Sequence, residues 1–221
     1  SEELYFAMAR GLQTDDIDVT PLEMTKWFDT NYHYLVPELS EKINFSLNPD
    51  KLLNEFNEAK QIGITSRPVI IGPMTFLKLS KFDKSMSNQK EYLDKLVPLY
   101  SELLGLLNKQ GCEWVQIDEP ILVTDLTEEE KNNFQDAYRS MTSQANVKIM
   151  LTTYFGSIIH NIDLITSMNI DGLHLDCVHG SENLEIDLSK FDNSLVLSLG
   201  IVDGRNIWIN DLQRSIKLLQ S

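Results

Sequence analysis

Two rhythms of hydrophobic positions alternate along the chain. Five short apolar, β-rich runs recur: RPVIIGPMTF (67–76), CEWVQIDEPILV (112–123), VKIMLTTYFG (147–156), IDGLHLDCVHG (170–180) and LVLSLGIVDGR (195–205). Between them, apolar residues fall at helical spacing. Residues 89–111 place Leu93, Leu96, Tyr100, Leu103 and Leu107 on one stripe and end at Gly111, a residue type suited to closing a helix. Thr127, followed by glutamates up to Glu130, spells a capping box that opens a helix carrying Phe134, Ala137 and Met141. Asn48-Pro49 starts another helix, with Leu52, Leu53, Phe56 and Ala59 on its apolar side and Gly63 at its end. A shorter helix is predicted over 157–168. Strand and helix in alternation predict a parallel sheet with right-handed crossovers, and residues 1–221 read as one domain.

The faces of these strands narrow the fold further. In CEWVQIDEP, Val115 and Ile117 point one way while Trp114, Gln116 and Asp118 point the other. Leu151, Thr153, Leu173 and Leu175 are expected to face helices, leaving Thr152, Tyr154, His174, Asp176 and Ser198 on the opposite face. A flat sheet with helices on both sides tolerates few such residues. Polar residues gathered near the C-terminal strand ends instead suggest a barrel interior topped by a site. Closing such a barrel takes eight strands and typically about 250 residues. The expected fold class is therefore α/β: a partial (β/α)8 TIM-type barrel with about five parallel strands and flanking helices.

Charge and composition remove whole classes of function. Lys and Arg total 19 against 33 Asp and Glu, a formal charge of −14, which argues against nucleic acid or an anionic membrane as the main partner. Two cysteines, Cys112 and Cys177, are too few for a disulfide scaffold or a four-cysteine zinc module, and they fit a reducing compartment. No apolar run approaches the ~20 residues that span a bilayer. The first residues, SEELYFAMAR, lack a basic segment followed by an apolar core, so no secretory signal is visible. A soluble, cytoplasmic protein is expected. GxGxxG, Walker A, GxSxG and CxxC motifs do not occur, so nucleotide-binding and serine-hydrolase readings lack support.

Several groups remain that can do chemistry. Asp118 and Glu119, adjacent at a strand's C-terminal end, suit acid/base work or anchoring of an amine, or else Asp118 satisfies buried donors. His174, Asp176, Cys177 and His179 lie within six residues. His174 and Asp176 share a face, but Cys177 points away, and the neighbouring strand offers Thr152 and Tyr154, which are poor zinc ligands. Residues 23–34 have the aromatic and polar density of a binding loop, in which Phe28, Tyr32 and Tyr34 with Lys26, Asn31 and His33 could hold a planar anion; a packed surface loop is the alternative. Arg205, in a turn after the last strand, could clamp a carboxylate or simply lie on the surface.

At these same blocks the sequence becomes recognisable. EMTKWFDTNYHYLVPEL (23–39), RPVIIGPMTFL (67–77), WVQIDEPILV (114–123), LTTYFG (151–156), GLHLDCVHG (172–180) and LGIVDGRNIW (199–208) closely resemble the N-terminal domain of the cobalamin-independent methionine synthases. These are the 5-methyltetrahydropteroyltriglutamate–homocysteine methyltransferases. The resemblance implies a protein of two face-to-face barrels, with the zinc, the homocysteine site and most catalytic residues in the C-terminal one. The present chain then corresponds to the middle of the N-terminal barrel. Its first strands, with an Arg-Glu-Leu-Lys folate-tail segment, would precede Ser1, and its last would follow Ser221. Lys26 matches the family lysine that binds 5-methyltetrahydropteroyltri-L-glutamate. The C-terminal barrel's zinc-binding His-x-Cys falls where this chain has Thr152 and Tyr154, so zinc is expected in the whole enzyme, with neither metal nor catalytic residues in this part. The part alone is expected to be inactive in methyl transfer. Two alternatives stay open: a non-catalytic scaffold bracing the catalytic barrel, and a separate hydrolase using Asp118, Glu119 and His174.

Overall fold

The computed structural model describes residues 2–15, 18–83, 89–143 and 145–220. Its centre is a five-stranded parallel sheet of β1 (Val69–Ile71), β2 (Trp114–Asp118), β3 (Lys148–Thr152), β4 (Gly172–Asp176) and β5 (Val196–Gly200), each hydrogen-bonded to its neighbours in chain order. A doubly wound sheet reverses its strand order at a switch point. Here the order never reverses, which is the winding of a barrel wall. The chain is α/β, with helices α1 (Glu2–Arg10), α2 (Asp50–Gln61), α3 (Pro73–Lys78), α4 (Gln89–Lys109), α5 (Glu128–Thr142), α6 (Ile162–Thr166) and α7 (Leu212–Gln220).

One face of the sheet makes the core. Val115, Ile117, Ile149, Leu151, Leu173 and Leu175 are buried against Leu93, Leu96, Leu104 and Leu107 of α4 and Phe134, Tyr138 and Met141 of α5. The capping box opens α5 as expected: Thr127 Oγ1 accepts from the Glu130 amide at 3.2 Å, and Glu130 Oε2 accepts from the Thr127 amide at 2.8 Å. Glu130 also receives Lys78, so the cap ties α5 to α3. Among the described residues no helix is long and apolar enough to cross a membrane.

Three expectations change. The run 67–76 is a strand only to Ile71; Pro73 has no amide to donate and stands at the first position of α3. The helix expected over 157–168 is a 3-10 turn, Ile159–Asn161, followed by the single turn of α6. The aromatic segment expected as a loop is a β-hairpin, Met24–Lys26 against His33–Leu35. Its turn is held by Thr30, whose hydroxyl donates to the Trp27 carbonyl at 2.6 Å and accepts from the Tyr32 amide at 3.1 Å.

Candidate functional site

The neighbours Asp118 and Glu119 end on opposite sides of the sheet. Glu119 points into the core and is wholly buried. It accepts from the amides of Met74 (3.2 Å) and Thr75 (2.7 Å), the Thr75 hydroxyl (2.5 Å) and the Tyr138 hydroxyl (3.1 Å). Burial pushes its carboxyl up to about 7, against the pull of those four donors. A Cβ on Gly72 would stand 2.1 Å from this carboxyl, so only glycine lets the strand end approach it. Glu119 thus fastens the end of β2 to α3 and α5, and it cannot act together with His174 across the sheet.

Asp118 faces the other way. Strand register places Ile71, Asp118, Thr152, His174 and Ser198 in one row across the sheet's inner face. Asp118 accepts from Gln116 Nε2 at 2.8 Å and from the Tyr154 hydroxyl at 3.2 Å, and burial pushes its carboxyl up from the usual range. His174 Nδ1 lies 2.8 Å from Ser198 Oγ, and burial lowers the imidazole. Thr152 Oγ1 is buried and has no hydrogen-bond partner among the described residues. Asp176 lies one step further along. Its carboxylate takes the amides of Phe155, Val178 and His179, each at 2.9 Å, and the His179 ring at 3.3 Å. Burial raises this carboxyl, but those donors outweigh it and hold it below the usual range. Its oxygens are engaged in shaping the turn after β4, so Asp176 with His179 anchors that turn, apart from His174, which bonds Ser198. Cys177 is buried and on the other side, its thiol 3.7 Å from the Leu175 carbonyl. Among the described residues no three His, Cys, Asp or Glu converge on a metal position.

The hairpin lies across the C-terminal ends of the strands. Phe28 packs on Phe155 with ring centroids 5.6 Å apart, and the Trp27 indole meets the Tyr154 hydroxyl. Arg205, just beyond β5, bonds both carboxylate oxygens of Asp29 at 3.1 Å and stacks over the Phe155 ring at 5.6 Å. Phe28 (φ 54°) and Phe155 (φ 76°) are the non-glycine residues in left-handed backbone among the described residues, and they touch. Such strain costs about 1–3 kcal/mol and collects at binding and active sites. Two of the three expected rings gather on Trp27, whose indole meets Phe28 at 5.2 Å and Tyr34 at 5.5 Å edge-on, while Tyr32 stands apart, 79% exposed. Lys26 and His33 are exposed on the paired strands, and neither has an ion-pair partner among the described residues. Strand alternation places Tyr154 on this face, whereas the contributions of Phe155, and of Trp27 and Asp29 beyond the ring and charge density of residues 23–34, are not legible in sequence spacing.

The family profile described as "Cobalamin-independent synthase, N-terminal domain" matches residues 1–221. The chain belongs to this family. It is 49% identical over 214 residues to the 5-methyltetrahydropteroyltriglutamate–homocysteine methyltransferase of Xylella fastidiosa (strain M23), covering 97% of this chain and 28% of the relative. It is 44% identical over 227 residues to a probable enzyme of the same name from Schizosaccharomyces pombe, covering 100% of this chain and 30% of the relative. The chain therefore spans under a third of the length of these relatives. Among solved structures it resembles a B12-independent methionine synthase from Shewanella sp. W3-18-1 in complex with selenomethionine, with a TM-score of 0.65 at 17% identity over 86% of this chain and 59% of that one. That likeness supports the barrel-type fold.

Proposed function

We propose that this chain forms part of the N-terminal barrel of a two-barrel cytoplasmic enzyme that moves a methyl group from 5-methyltetrahydropteroyltri-L-glutamate to homocysteine. In this reading the described face holds the folate's glutamate tail, and Lys26 is its contact. The observation that carries it is the hairpin: a strained, aromatic-clamped strap at the C-terminal end of the sheet, presenting Lys26 to solvent with no described ion-pair partner. An ammonium on a flexible stem suits a mobile chain of carboxylates.

The same reading assigns zinc and homocysteine to the other barrel, outside the 28% of the relative that this chain matches. The residues here do not fit a zinc ion. Tyr154 gives its hydroxyl to Asp118, Thr152 is a poor ligand, and the Asp176 oxygens serve backbone amides. The chemical step accordingly belongs elsewhere, and this chain's residues bind and orient.

A scaffold reading draws on a different feature. Trp208, Ile209, Leu212, Ile216 and Leu219 leave a large apolar stretch exposed, suited to bracing another domain. The two readings part at Lys26. In the native polypeptide, Lys26→Ala should raise the Michaelis constant for the triglutamate substrate by up to about tenfold at low salt, and leave that for homocysteine unchanged. The rise should shrink with added salt, because screening weakens exposed charge pairs. An unchanged triglutamate constant at low salt leaves the scaffold reading standing alone.

A further inference from the structure

Phe155 stands where strand alternation would not put it. Leu151 lies in the core and Tyr154 bonds Asp118 on the inner side, so an extended chain would turn the Phe155 ring back toward the helices. Phe155 instead has left-handed backbone, φ 76°. Its ring lies against Tyr154 (centroids 4.6 Å apart), Phe28 of the hairpin (5.6 Å) and the Arg205 guanidinium (5.6 Å). A phenylalanine keeps that conformation only where its surroundings impose it.

Two buried polar side chains impose it. Asp176 accepts the Phe155 amide at 2.9 Å. Asn183, 3% exposed, fills both donor and both acceptor positions of its amide group. Its Nδ2 donates to the carbonyls of Gly156 (3.2 Å) and Asp176 (2.8 Å), and its Oδ1 accepts from the Ser157 hydroxyl (3.2 Å) and the Ile158 amide (2.9 Å). A Cβ on Gly180 would stand 2.4 Å from the Gly156 carbonyl oxygen, so the turns after β3 and β4 meet backbone to backbone. Phe155 thus rises from a fixed base. The hairpin's tip has no such base: it meets the sheet through Phe28 on Phe155, the Trp27 indole on the Tyr154 hydroxyl, and the partly exposed pair of Asp29 with Arg205.

We propose that Phe155 is the positioning residue of the hairpin. Its ring, aimed by left-handed backbone, seats Phe28 directly and Asp29 through Arg205, and so sets where the hairpin holds Lys26. What the hairpin binds rests on the folate-tail reading; that Phe155 poses the hairpin does not.

The test uses the native polypeptide with Phe155→Gly, Phe155→Tyr and Lys26→Ala, alone and combined. Glycine takes φ 76° without strain, so Phe155→Gly removes the ring while sparing the backbone, and the unfolding midpoint should stay near wild type. Amide hydrogen exchange across residues 27–35 should quicken up to about tenfold, while exchange across 176–183 stays unchanged. The triglutamate Michaelis constant should rise about three- to tenfold, with kcat and the homocysteine constant in place. Phe155→Tyr keeps the ring and should match wild type in both measurements. On top of Lys26→Ala, Phe155→Gly should add less than about twofold, because the ring acts through the lysine. Unchanged hairpin exchange in Phe155→Gly overturns the proposal, whatever the substrate constants do. Faster exchange beside a silent Lys26→Ala overturns the folate-tail reading and leaves the positioning role standing. If the two substitutions multiply in full, the ring meets the substrate itself and the positioning role is wrong.

Discussion

The two sides of the sheet treat a carboxylate in opposite ways, and adjacent residues show it. Glu119, on the helix side, is sealed from water and has its acceptor positions filled by four donors from two helices. Asp118, on the inner side, is half-buried and shares its oxygens with two side chains, Gln116 and Tyr154. Around Glu119 the helix side is finished: these polar groups serve the fold. Towards the inner side and its rim, the chain keeps half-buried polar groups, strained backbone and a cation with no described partner. Function is to be sought on the second side, and the first holds it in place.

The largest expected effect breaks the helix side. Glu119→Ala strands two backbone amides, a threonine hydroxyl and a tyrosine hydroxyl in the core, which should cost about 3–5 kcal/mol of folding stability. Gly72→Ala drives a methyl group into the same carboxyl and should fall in the same class. Asp118→Asn, one residue away but half-exposed, should cost about 1 kcal/mol or less. Urea unfolding of the three variants checks the contrast, and near-equal losses for Glu119→Ala and Asp118→Asn would erase it.

A pH dependence sharpens the same contrast. The folded Glu119 carboxyl is pushed up to about 7, above its ordinary value of 4.5. The folded state therefore binds this proton more tightly than the unfolded state does. Stability from this group is fully present below about pH 4.5 and is lost as pH rises to about 7, by at most about 3 kcal/mol. Asp118, also raised, runs the same way, while the lowered His174 runs the other way near pH 6.5. The readout is thus the stability difference between wild type and Glu119→Gln, measured at pH 5 and pH 7.5. It should move against wild type as pH rises. A flat difference would mean that the four donors keep Glu119 ionised throughout.

How much of this was legible in the sequence follows the same division. Alternation in WVQID, LTTYF and GLHLD assigned the core face correctly, because burial on one side of a strand has period two. The capping box at Thr127 is local chemistry and was equally readable. The role of Glu119 was not, because its donors lie 19 to 45 residues away and only folding brings them together. In sequence the hairpin looks like a loop because its rings and charges hide the short alternating strands. Its clasp, Asp29 to Arg205, spans 176 residues. Arg205 as a carboxylate clamp was among the open readings, but the carboxylate proves to be the chain's own.

That clasp gives the smallest and most diagnostic prediction. Arg205 holds Asp29 through two hydrogen bonds while its guanidinium lies over Phe155, so it joins the turn after β5 to the hairpin that carries Lys26. The pair is partly exposed, and ion pairs of that kind contribute about 0.2–1 kcal/mol. Arg205→Gln should therefore barely change the unfolding midpoint. Its effect should appear where the hairpin works: the triglutamate Michaelis constant should rise about two- to fivefold at low salt, with kcat little changed, as the strap loosens and Asp29 loses its counter-charge. Asp29→Asn removes the same clasp but also removes the acid, so it should weaken triglutamate binding less than Arg205→Gln does. If the two variants weaken binding equally, the clasp acts by geometry alone. If Arg205→Gln lowers stability by several kcal/mol without touching triglutamate binding, the hairpin belongs with the finished side of the molecule.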